Sequence, residues 1–149
     1  MDYFLGEGPL TPAPAAAALI VTEDGRYLMQ LRDQKHGIFF PGHWGLFGGA
    51  LEAGETPEDA IHRELDEELA LKASNIVHVT DFTFTFGRFG EITRYYFQVA
   101  TAADSLKQLQ LREGAALQIF SAAEILNLPR VVPYDSFAIW LHASGMSKR

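Results

Sequence analysis

Gly48-Gly49-Ala50-Leu51-Glu52-Ala53-Gly54-Glu55-Thr56-Pro57-Glu58-Asp59-Ala60-Ile61-His62-Arg63-Glu64-Leu65-Asp66-Glu67-Glu68-Leu69-Ala70-Leu71 is the stretch on which the reading of this chain turns. A glycine turn leads to Thr56, which suits an N-cap, and Pro57 suits the first helical position. The helix then runs to about Leu69 or Leu71. At the helical period Ile61, Leu65 and Leu69 form a stripe that can be buried. Glu64, Glu67 and Glu68 fall together on a neighbouring face at i, i+3 and i+4. Three like charges repel, and two of them sit near the helix C-terminus, where the dipole disfavours anions. A hard divalent cation such as Mg²⁺ would turn that repulsion into coordination. A solvated acidic face with Arg63 as its counter-ion accounts for the same residues, so the helix alone leaves both readings open.

The wider spacing weighs on the choice. Gly49, five residues, Glu55, seven residues, then Arg63-Glu64-Leu65-Asp66-Glu67-Glu68 resembles the Nudix box, the signature of the Nudix hydrolase superfamily. It departs at Ala70, where the family usually has a helix-ending glycine, so the helix either lengthens or places alanine in a left-handed cap. The resemblance implies an α/β fold, a Nudix-type α/β/α sandwich around a mixed sheet. It also implies Mg²⁺-dependent hydrolysis (Mn²⁺ being the alternative ion) of the phosphoanhydride in a nucleoside diphosphate linked to another moiety. By the same analogy Glu64, Glu67 and Glu68 are metal ligands, with the Gly48 carbonyl as a further one, and Glu55 and Arg63 brace the loop against the helix. Glu113, in Arg112-Glu113-Gly114, matches a loop glutamate that serves some members as metal ligand or base. A solvated pair with Arg112 is its bland alternative, and Glu91 is its competitor for the role. None of these positions selects a substrate. Specificity in the family lies outside the box.

The 149 residues suit one domain, with residues 1–13 as an N-terminal arm. A net charge of −7 argues against coating a nucleic-acid polymer and suits a phosphorylated small molecule only where cations neutralise the site. With no cysteine there is no disulfide, thiolate zinc site or thiol nucleophile. That absence also disfavours a Nudix-fold isoprenoid diphosphate isomerase, which needs a cysteine acid or base. A non-catalytic nucleotide-sensing module of the same fold has little reason to keep every costly carboxylate. No apolar run is long enough to span a membrane, and Asp2 and Glu7 stand where a signal peptide would be basic, so a cytoplasmic protein is expected. Tyr3, Phe4 and Leu5 on a segment too short to bury itself suggest a homodimer with the arm at its interface.

Along the chain, Ala15–Val21 and Tyr27–Leu31 read as a hairpin around Glu23-Asp24-Gly25. Arg32, at its end, either reaches substrate phosphate or pairs with Asp33. Residues 38–47 are too rich in glycine and aromatics for a helix, apart from a short strand at Trp44–Phe47. Trp44 and His43 read as structural. Ile76–Phe86 and Ile92–Ala100 read as a second hairpin. Phe82, Phe84 and Phe86 share one face and suit either core or a base pocket. Arg88 and Arg94 are candidate phosphate contacts, with a surface role the alternative for each. Thr101–Gln110 reads as polar and irregular. Leu117–Phe120 is a strand, and Ser121 with Glu124 forms a capping box on a helix over 122–126. The last helix, Pro133 to about Ser144, is expected to bury Phe137, Trp140 and Leu141.

Overall fold

A computed structural model describes residues 13–35, 37–85, 87 and 90–145. β1 (Ala15–Thr22) is paired on both sides and buried on both faces, which explains its eight-residue run without a charge. It pairs antiparallel with β2 (Tyr27–Leu31) and β4 (Phe47–Ala50) and parallel with β6 (Glu91–Thr101). β6 continues antiparallel into β5 (Ile76–Thr85), and β2 pairs with both β3 (Trp44–Gly45) and β7 (Ala116–Phe120). The result is one seven-stranded mixed sheet.

The two-residue period of β1 divides the core in two. Ala16, Ala18 and Ile20 face α1 (Pro57–Leu69) and meet Ala60, Ile61, Leu65 and Leu69. Ala17 and Leu19 face the other way, toward Ile125 of α3 (Ala122–Asn127) and Ala138 and Ile139 of α4 (Pro133–Ala143). Helix, sheet and helix therefore form three layers, the α/β/α sandwich around a mixed sheet that the box implied. A short helix, α2 (Ala103–Leu106), lies in the segment read as irregular, where its four residues bury nothing and carry no apolar period.

Both ends of α1 follow local chemistry. Thr56 accepts from the Asp59 amide at 3.1 Å, and the Asp59 carboxylate in turn accepts from the Thr56 amide. At the other end Ala70 takes the left-handed conformation (φ 54°, ψ 32°) instead of extending the helix. The amides of Ala70 and Leu71 close on the carbonyls of Asp66 and Leu65. The capping box of Ser121 and Glu124 on α3 forms as expected.

Two expectations are corrected. The strand over Trp44–Phe47 is divided at Leu46 into β3 and β4, because Leu46 directs its amide to Asp135 and its carbonyl to Gln30. The buried stripe of α4 is Asp135, Ala138 and Ile139. Phe137 and Trp140 are 50% and 42% exposed and stack on each other instead, and Leu141 is half-buried. Apolarity alone misplaced that helix: the buried carboxylate of Asp135, held by three partners, sets its rotation. Phe86, Arg88 and the arm over residues 1–12 lie outside the described residues.

Candidate active site

α1, β4 and the loop before β7 meet along one wall of a cleft of about 410 Å³. Glu64, Glu67, Glu68 and Glu113 all line it, together with Gly48 and Gly49. The glycines there are steric necessities. A Cβ on Gly49 would strike the Glu64 carboxylate, and one on Gly48, at φ 148°, would overlap the Ala16 carbonyl on the adjoining strand.

Glu113 reaches this end through the C-terminus of α1. The last carbonyls of a helix have no partners within it. Here the amides of Gln110 and Arg112 donate to the carbonyls of Leu69 and Glu68 at 3.0 and 2.8 Å, docking the loop on the helix end. The Ala115 amide then fastens it to the Leu31 carbonyl of β2. Arg112 turns away, toward the Asp66 carbonyl and Gln110, so it does not pair with Glu113. Glu91 is exposed at the start of β6 and does not line the cleft.

The three helix glutamates do not form a free carboxylate cluster. Arg63 lies between two of them, its Nη1 donating to Glu64 at 2.8 Å and to Glu67 at 3.3 Å. Its Nε and Nη2 grip both oxygens of Glu55 at 2.7 and 2.8 Å, and Nη2 also donates to the Ala50 carbonyl. All five N–H groups of this guanidinium are thus engaged. The hydrogen bond from Arg63 holds the Glu55 carboxyl at about 2, well below its ordinary value, and Glu55 and Glu64 raise the arginine in turn.

Glu68 is the third, and the alternative of a solvated acidic face does not hold for it: it is 2% exposed. The Gly48 amide donates to its Oε1 at 3.1 Å, and the Gln30 amide nitrogen lies 3.4 Å from its Oε2. Burial, a hydrogen bond with Glu64, and the charges of Glu64 and Glu113 together push its carboxyl up to about 9. Among the described residues no three acidic or histidine side chains stand ready as a cation cage. The donor set nonetheless fits a hard divalent ion: all oxygen, and crowded enough that one carboxyl keeps a proton near neutrality.

The opposite end of the cleft is basic and aromatic, lined by Arg32, Phe84, Arg94, Tyr134 and Asp135. Arg94 is not a surface residue. Its side chain is 15% exposed, its carbon Cζ lies 4.5 Å over the Tyr134 ring, and Nη2 is 3.2 Å from Asp135 Oδ1. Tyr134 stacks on Phe84 at 5.3 Å. Arg32 directs Nε to the Phe39 carbonyl at 2.8 Å, while the ion pair of Asp33 is with Lys35, not Arg32. His43 is held by the Pro41 carbonyl and Trp44 packs on Phe120, both outside the cleft.

Sequence reading missed Gln30, Tyr134 and Asp135. Gln30 and Leu46 link the two ends of the cleft: Gln30 Nε2 donates to the Leu46 carbonyl and approaches Glu68, while the Leu46 amide donates to Asp135 at 3.0 Å. A glutamine in the middle of apolar β2 was the available signal, since a buried amide needs partners.

This chain belongs to the Nudix family: the NUDIX domain model matches residues 11–141. It is 41% identical over 66 residues to the nucleoside triphosphatase NudI of Escherichia fergusonii, covering 44% of this chain and 45% of that protein. The match thus spans less than half the length of the curated relatives. Its fold is similar to that of the MutT protein from Methanosarcina mazei Go1, with a TM-score of 0.76 at 20% identity over 94% of this chain and 97% of the other. The NUDIX domain of Shewanella oneidensis NrtR, solved in complex with ADP ribose, has a TM-score of 0.72 at 19% identity, covering 91% of this chain and 89% of that one. No helix among the described residues is long and apolar enough to cross a membrane.

Proposed function

We propose that this chain is a hydrolase of the phosphoanhydride bond in a nucleoside diphosphate derivative, a nucleoside triphosphate first among them, acting with a bound divalent ion. The observation that carries the reading is the convergence of Glu64, Glu67, Glu68 and Glu113 at one end of a cleft whose other end is aromatic and basic. The name of the NudI relatives supports the triphosphate.

Glu64, Glu67 and Glu68, with the Gly48 carbonyl, are the groups that would hold Mg²⁺ or Mn²⁺. When bound, the ion supplies neutralisation of phosphate charge and acidification of water. The chain's own residues do the rest. Glu68 would hold the ion as a carboxylate, its Oε1 oriented by the Gly48 amide. Arg63 would yield Glu64 and Glu67 to the ion while its bonds to Glu55 and the Ala50 carbonyl keep the loop against the helix. Glu113 takes a proton from the attacking water as its oxygen bonds to phosphorus, and the anhydride P–O bond breaks with release of the leaving phosphate. Arg32 and Lys35 offset charge on the phosphate chain. Phosphate release from a panel of nucleotides, with Mg²⁺ or Mn²⁺ and with chelator, tests the proposal. Turnover that survives full chelation, or none with any nucleotide, would remove it.

A further inference from the structure

We infer that Arg94 reads the nucleobase, favouring bases that carry a ring carbonyl (guanine, cytosine, uracil, thymine) over adenine, which has none. The inference rests on the cleft being a nucleotide site, as proposed above.

Arg94 differs from Arg63 in what it leaves unmet. Of its five N–H groups, Nε meets the Tyr96 hydroxyl at 3.2 Å and one on Nη2 meets Asp135. The remaining three have no hydrogen-bond partner among the described residues, although the side chain is only 15% exposed. Among the described residues the buried side-chain polar atom without a partner is Thr101 Oγ1, so the spare donors of Arg94 reach the solvent of the cleft, where a ligand acceptor can take them. The guanidinium is also held in place before any ligand arrives. Tyr134 underlies it, and Asp135, 2% exposed, is itself fixed by the Leu46 amide and the Tyr96 hydroxyl. Gly45 makes room for that carboxylate, since a Cβ there would stand 3.2 Å from Asp135 Oδ2.

The surroundings decide which acceptor suits. Phe84, Ile92, Val132 and Tyr134 offer apolar walls to a flat ring. Asp135 already neutralises Arg94 and would repel a phosphate brought beside it. A neutral carbonyl oxygen avoids that repulsion and accepts from the spare donors. Guanine can take two of them through O6 and N7, the pairing arginine commonly makes with that base. Adenine can offer one ring nitrogen, but it sets its amino group against a second donor.

The test is kcat/KM for the four nucleoside triphosphates with Mg²⁺, in the wild type and in Arg94→Lys, which keeps the charge beside Asp135 but loses the planar fork. The adenine nucleotide should be the poorest substrate by about 10-fold or more, the range of one bidentate contact. Arg94→Lys should bring all four within about threefold by lowering the other three. Should that variant melt early, the double replacement Arg94→Met with Asp135→Asn removes both charges together and should flatten the profile likewise. Equal use of the adenine nucleotide by the wild type, or a gap that persists in the folded variants, overturns the inference. If no nucleotide is hydrolysed, calorimetric affinities of the nucleoside diphosphates in chelator read the same base preference. A preference there keeps the inference while the hydrolase reading fails. Equal or absent binding overturns it.

Discussion

Replacing Glu68 with glutamine should stabilise the metal-free protein at alkaline pH while abolishing turnover. The carboxyl is 2% exposed, and burial first, then Glu64 and Glu113, raise it from an ordinary 4.5 to about 9. Between those values the folded chain keeps a proton that the unfolded chain has released. Stability therefore falls as pH rises through that window, by at most about 1.4 kcal/mol per pH unit. Half of that slope across the three units from about pH 6 to 9 is about 2 kcal/mol, a sizeable share of a domain's stability. Glutamine cannot ionise, its carbonyl still accepts from the Gly48 amide, and its NH₂ can face Glu64 as the protonated acid does. Urea unfolding in chelator should show a wild-type midpoint that declines from pH 6 to 9 and a variant midpoint that stays nearly level. Millimolar Mg²⁺ should recover the wild type by mass action and leave the variant little changed. Phosphate release by the variant should drop about 10²-fold or more, as when a major electrostatic stabiliser is lost. A variant less stable than wild type at pH 9 in chelator, or one with wild-type turnover, would refute this account of the carboxylate.

Ala70→Gly should stabilise the fold by about 1 kcal/mol, because glycine tolerates the left-handed cap that alanine occupies under strain; urea denaturation reads the change, and a loss of stability would contradict it. Glu113→Gln should reduce kcat by about 10- to 10³-fold with little effect on Tm, whereas Glu91→Gln, outside the cleft, should leave it unchanged; the reverse result would transfer the base to the other loop. The homodimer suggested by Tyr3, Phe4 and Leu5 is tested by light scattering on the full chain and on a chain lacking residues 1–10. Dimer in the first and monomer in the second is expected, and monomer in both removes the idea.

Local chemistry made much of this protein legible from its residues. Thr56, Pro57 and the Ile61–Leu65–Leu69 stripe are short-range signals, so α1 and its buried face followed directly. The pairing of Arg63 with Glu55 followed from the resemblance of the box and has the geometry of a bidentate clamp. Hairpins, the short β7 strand and the Ser121 capping box likewise depend on neighbours a few residues apart. The charge state of Glu68 was not legible, because it depends on the Gly48 amide twenty residues away and on a loop that docks to satisfy helix carbonyls. Nor was the rotation of α4: three apolar residues at helical spacing pointed one way, and a single aspartate with partners on β6 and before β4 turned it the other. Periodicity reports what a helix can bury. Which polar groups must be buried with it is settled only when distant donors and acceptors meet, because an unpaired charge in the core costs more than an exposed phenylalanine.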